Sequence, residues 1–180
     1  MSHSLPSAAL PLVPGAIVAS VGLFGSIILQ VAGPIPLALE KLGETGFNPA
    51  TRVRIFALCF NRAAPIMIVT GFLGASLALF PTFAYPNPIS KPYLRTAAVA
   101  FLSITPYTLM SLLDINKELL ALNRAVSVGK AGDLSLPTAD GKRAVELMHT
   151  WSFWAGWRTA FFAVGWVGMV MGLGKELRVI

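Results

Sequence analysis

"HTWSFWAGWRTAFFAVGWVGMVMGL", residues His149 to Leu173, decides the fold. A helix needs roughly 20 apolar residues to cross about 30 Å of hydrocarbon, and this run supplies them with one interruption. The interruption is Arg158. A permanent cation at the centre of a bilayer costs roughly 3 kcal/mol or more, so such residues usually face protein and often mark function.

Working outward, the whole chain has the same character. Of its 180 residues 55% are hydrophobic and only 12% charged, with a mean hydropathy of +0.69. A soluble domain of this size needs a far more charged surface, so the chain reads as an integral membrane protein of one domain. The net charge of +6 fits cations flanking helix ends, since no basic stripe with interleaved aromatics suggests nucleic acid. Cys59 is the single cysteine, which excludes an intrachain disulfide and reads as an inert core thiol. The amino-terminal apolar run has no Lys or Arg before it, so it is expected to be a retained first span rather than a cleaved signal.

Three further windows resemble the first, giving an all-α, four-helix membrane bundle as the expected fold. The spans fall at about 15–39, 55–80, 96–113 and 150–173. The third helix is expected to continue to about residue 128, beyond the bilayer, with a kink at Pro106. Four crossings place both termini on one face. The opposite face carries Lys41, Arg52, Arg54, Lys117, Arg124, Lys130, Lys142 and Arg143, against Lys91, Arg95, Lys175 and Arg178 on the terminal face. Eight cations against four make the terminal face the non-cytoplasmic one.

The polar residues within the spans gather toward one end. Asn61 and Arg62 lie about 10 Å into the second span at 1.5 Å per residue, and Arg158 lies at similar depth in the fourth. Asp114, Asn116, Lys117 and Glu118 close the third span on that side, and Glu40 and Lys41 close the first. At 100° per residue Trp151 and Arg158 fall within about 20° of each other, beside Trp154, Ala155, Phe162 and Gly165. On the third helix Asn116 is the lone polar group on a stripe with Leu109, Leu112, Leu113 and Leu120, while Tyr107, Ser111, Asp114 and Glu118 form a second stripe. Periodicity does not choose which stripe faces inward. His149 comes out about 180° from Arg158. Gly22, Ser26, Gln30 and Gly33 form a small-and-polar stripe suited to close helix packing.

Each of these residues also has a structural reading. Arg62 and Arg158 can snorkel to headgroups, Asn116 can clip two helices together, and Asp114 can pair with Arg62 or Arg158. The tryptophans and His149 can be interfacial anchors. Two histidines and one cysteine make no familiar metal or haem site, and no Gly-rich phosphate loop, GxSxG elbow or HExxH is present. What remains is a set of arginines, carboxylate, amide and aromatic rings, which can bind and stabilise an organic anion.

Several stretches carry a resemblance. "LLDINKELLAL" (Leu112–Leu122) is similar to a P-T-N-K-x-L stretch, and "MHTWSFWAGWR" (Met148–Arg158) to an L-x-x-W-x-x-x-N-x-x-R stretch, of the anthrone oxygenases, a family of four-span membrane proteins. "FNRAAPIM" (Phe60–Met67) resembles the family's Y-x-x-G-x-x-x-x-P region, and "GLFGSIILQVAGPIPLAL" (Gly22–Leu39) its Gly-rich first span ending in proline. The match carries over Asn116, Lys117, Trp151 and Arg158. Ala155 stands where the family usually has Asn, Phe60 where Tyr is frequent and Asp114 where Pro is common, departures in keeping with the fungal polyketide branch.

The resemblance implies oxidation of a polyketide anthrone, such as emodin anthrone, to the anthraquinone by O2 with no cofactor. The implied partners are a small aromatic substrate and membrane lipid, with no nucleic acid and an unspecified oligomeric state. The endoplasmic reticulum is the expected membrane. In this reading Arg158, with Arg62, meets the anthrolate oxygen and Asn116 donates to a carbonyl or hydroxyl. Trp151 and Trp154 stack on the rings, and Tyr107 joins the substrate-binding set. Asp114 is the first candidate base and His149 the second. The competing readings are a non-catalytic membrane scaffold and a carrier for quinones or other amphipathic metabolites.

Overall fold

A computed structural model describes residues 9–84, 87–128 and 134–177. His3, Lys130 and Arg178, which entered the sequence reading, lie outside the described residues. The chain is an all-α membrane protein. Helices α1 (Ala9–Val31) and α2 (Pro34–Ala38) form one apolar stretch, followed by α3 (Pro49–Ala84), α4 (Lys91–Ser111), α5 (Leu113–Ala125) and α6 (Thr138–Leu177). Between α5 and α6 a two-residue antiparallel ladder pairs β1 (Ser127–Val128) with β2 (Leu134–Ser135), a feature too short to leave a periodic signal in sequence.

The helix boundaries follow from local chemistry. Pro34 cannot donate to the preceding turn and disfavours helical backbone at Gly33, so α1 ends there and α2 restarts with Pro34 in its first turn. Asn48 caps α3, its Oδ1 accepting from Thr51 N at 2.8 Å, with Pro49 at the first helical position. Pro106 stays inside α4, and a bend of 58° separates α4 from α5 at Leu112. That break leaves Leu112, Asn116 and Leu119, at helical spacing, all buried.

Three helical stretches are long and apolar enough to cross a membrane, and α4 with α5 makes a fourth when the bent pair counts as one. Their outward residues, such as Val21, Phe24, Ile28, Ile68, Phe72 and Val164, are exposed, as lipid as solvent permits. Helices α3 and α6, of 36 and 40 residues, run past their apolar windows as α5 does past the third.

Two compact units divide the chain. The first comprises the described residues of 9–26, 66–106 and 158–177. Its core holds Leu12, Leu23, Leu94, Phe101, Phe162 and Met169, with Phe101 edge-on to Phe162 at 6.2 Å. Backbones approach closely at glycine: a Cβ on Gly168 would lie 2.7 Å from the carbonyl oxygen of Tyr93. Polar groups in the unit pair across helices, Trp166 Nε1 donating to Ser20 Oγ at 2.9 Å, Ser26 Oγ meeting Thr159 Oγ1 at 2.5 Å, and the Ser90 hydroxyl donating to Glu176. The second unit comprises 27–65 and the described residues of 107–157. Ile35, Val53, Phe56, Leu119, Leu147 and Trp151 belong to its apolar core.

Candidate functional site

In the second unit, three elements converge on one indole. Trp151 of α6 is only 4% exposed, and its Nε1 donates to Oδ1 of Asn116 on α5 at 2.8 Å. Phe56 of α3 meets the indole edge-on at 5.2 Å and stacks on Phe60 at 5.8 Å. The sequence sets this up: Asn116 sits between Leu112 and Leu119 on the buried face, so its amide needs a polar partner, and an indole N–H is a pure donor. The bond engages the amide oxygen and leaves the Asn116 NH2 group as a donor. Asn116 is therefore the interhelical clip that periodicity allowed, and the inward face is Leu112, Asn116 and Leu119, whereas Leu109 of the expected stripe is exposed.

A second polar chain runs beside the first in sequence. Lys41 Nζ donates to Ser152 Oγ at 3.3 Å, and Ser152 Oγ donates to Gln30 Oε1 at 3.4 Å. Ser152 is buried, with 8% exposure. Lys41 is aimed by the turn that ends α2. There Lys41 N bonds Pro36 O at 2.9 Å and Glu40 N bonds Leu37 O at 3.2 Å, a Schellman turn with Glu40 at φ 56° where glycine is usual. Glu40 is held by an ion pair to Arg52 at 2.5 Å and by a hydrogen bond from Thr45. The hydrogen bond from Arg52 outweighs the opposing desolvation and, with its charge and Thr45, lowers the Glu40 carboxyl below its usual range. Sequence reading took Gln30 as packing and passed over Ser152; the signal for Ser152 was a hydroxyl next to the Trp151 of a buried helical face.

The remaining expected residues divide. Arg158, seven positions after Trp151 on α6, is 6% exposed, which is a guanidinium enclosed in protein rather than one reaching lipid headgroups. Tyr107 Oη donates to the Trp154 carbonyl at 2.8 Å. Trp154 itself is 37% exposed, with its ring edge-on to Phe153 at 5.3 Å. Arg62 and His149 are exposed. Asp114 is almost fully exposed and faces Lys117 at 3.6 Å, not Arg62 or Arg158. The structure thus brings Asn116 and Trp151 together, encloses Arg158, and leaves Asp114, His149 and Arg62 outside these contacts. The physical reason is the break at Leu112, after which Leu112, Asn116 and Leu119 share the buried face and Asp114 points outward.

Among the described residues no three His, Cys, Asp or Glu side chains gather as metal ligands. An open cleft of about 520 Å³ at the start of α6, lined by Pro49, Leu136, Thr138, Gly141 and Val145, contains none of the residues expected from sequence.

The sequence model of the anthrone oxygenases matches residues 56–168, well over half of the chain and all of the span from Phe56 through Arg158. The chain belongs to the anthrone oxygenase family. No curated protein and no solved structure matches it significantly. Membership of this family supports a role in anthrone oxidation, and the matched region holds Asn116, Trp151 and Arg158, while Gln30 and Lys41 lie upstream of it.

Proposed function

We propose that this anthrone oxygenase converts a polyketide anthrone of the fungal type to the anthraquinone with O2 and without a cofactor. The observation that carries the reading is the enclosed guanidinium of Arg158 within the family-matched segment. Anthrone chemistry needs little more than anion stabilisation. Loss of a proton from the methylene opposite the carbonyl gives an electron-rich anthrolate. Its carbon forms a C–O bond to O2, the resulting peroxide anion takes back a proton equivalent to the one lost, and the hydroperoxide eliminates water to leave the second carbonyl. Anthrone and O2 thus yield quinone and water, with no other reductant.

A fixed cation in a dry setting stabilises the anthrolate oxygen far more than water-screened charge would, and so makes the methylene more acidic. Arg158 takes that role; Asn116, in the second unit, keeps its NH2 group as a donor for a polar acceptor there. Trp151, already committed to Asn116 and Phe56, acts by holding Asn116 in place rather than by stacking on the rings. Trp154, partly exposed, is the ring left to stack. Asp114 and His149 are exposed, so anion stabilisation rather than a dedicated inward base carries the rate. The excess of Lys and Arg on the non-terminal face supports placing both termini on the lumenal side of the endoplasmic reticulum.

The test is conversion of emodin anthrone by membranes containing the full chain, with a chelator present, against the spontaneous rate in empty membranes. A gain over background is expected. No gain removes the enzyme and leaves a carrier or scaffold, and a gain abolished by the chelator removes the cofactor-free chemistry.

A further inference from the structure

The polar chain from Lys41 to Gln30 ends in an enclosed donor. Gln30 Nε2 is shielded from solvent and has no hydrogen-bond partner among the described residues. Leaving a buried amide donor unsatisfied is destabilising, so a donor of this kind calls for an explanation beyond packing. The amide is held in one orientation. Ser152 Oγ accepts from the Lys41 ammonium, so its own proton goes to an acceptor, which fixes the Gln30 oxygen toward Ser152 and sends the NH2 group the other way.

The same chain strengthens that donor. A cation at one end polarises the Ser152 hydroxyl, which in turn pulls electron density through the Gln30 carbonyl and leaves its N–H bonds more positive. Lys41 is exposed, so its charge is hydrated while its effect is delivered inward through Ser152, which is buried beside Trp151 in the chain. The strained backbone at Glu40, clamped by Arg52, is what aims Lys41 along this line.

The geometry points to Gln30 as a ligand-binding residue whose Nε2 donates to an acceptor oxygen of the aromatic ligand, a carbonyl or phenolate, with Ser152 and Lys41 as positioning residues. This rests on the aromatic-ligand part of the reading above and not on turnover. Close packing explains Gly22, which faces Phe162, and Ser26, which bonds Thr159, but packing alone does not explain a hydrogen-bonded amide whose second half is enclosed.

The experiment is ligand binding by the purified full chain in detergent, followed by tryptophan fluorescence quenching. The probes are 1,8-dihydroxyanthraquinone, which offers acceptor oxygens, and anthracene, which has the rings without them. Gln30→Leu should weaken quinone binding about 10-fold and leave anthracene binding unchanged, the loss typical of one buried hydrogen bond. Lys41→Met should weaken quinone binding about 3-fold, with Lys41→Arg restoring most of it. Equal quinone and anthracene binding in wild type and Gln30→Leu overturns the inference, as does a loss shared by both probes. A lower thermal midpoint with unchanged binding also overturns it, assigning the amide to a structural water. Oxygen-selective binding that depends on Gln30 in a protein without turnover would uphold the inference while the catalytic reading fails.

Discussion

At residue scale the proposed chemistry rests first on the buried guanidinium of Arg158, and the fold on the buried amide of Asn116. Arg158→Lys keeps the charge but loses the planar fork that can meet an oxyanion with two parallel donors. We expect kcat for anthrone oxidation to fall by about 10²-fold with normal membrane insertion, measured in washed membranes at matched protein level. Unchanged turnover would reduce Arg158 to a structural cation. Asn116→Leu should destabilise the fold by about 1–3 kcal/mol, because it strands the Trp151 N–H in an apolar core. Trp151→Phe on that background should then cost less than on wild type, and additive losses in thermal unfolding would show that the two side chains do not act as a pair. Asn116 was legible as the lone amide on an apolar stripe. Its partner was not, because the choice between two stripes of the third helix turns on a bend that periodicity does not locate.

Helix ends and helix contacts give predictions at element scale. Above the carboxylate range the depressed Glu40 is ionised and its pairing with Arg52 supports the turn that ends α2; that support is lost as pH falls through its lowered folded value. The thermal midpoint of wild type should therefore drop more than that of Glu40→Gln between about pH 5 and pH 3, and parallel curves would sink the assignment. Glycine substitutions should split in sign. Gly156 has open space around it, so Gly156→Ala should stabilise α6 by about 0.5–1 kcal/mol through helix propensity. Gly168→Ala would press a methyl against the backbone of α4 and should destabilise by about 1–3 kcal/mol in the same unfolding assay. Pro106 is carried within α4 at the loss of one backbone hydrogen bond, and the chain bends at Leu112, where bending buries Leu112, Asn116 and Leu119 together.

The number of crossings is the property that belongs to the whole molecule. If the bent pair α4–α5 crosses as the fourth span, both termini share one side; with three crossings they do not. Glycosylation-acceptor tags at the two ends, expressed one at a time, should both be modified, and modification of only one would refute the four-crossing topology. The sequence by itself determined that the chain lives in a membrane as helices, since hydropathy and length are properties of consecutive residues and hydrocarbon admits few other structures. It also singled out Asn116, Trp151 and Arg158 as candidates. Only the tertiary structure decided that Asn116 bonds Trp151, that Asp114 and His149 face out, and that Lys41, Ser152 and Gln30 form a chain. Those outcomes depend on where helices bend and which faces meet, and contacts between residues 35 to 122 positions apart leave no local periodicity to read.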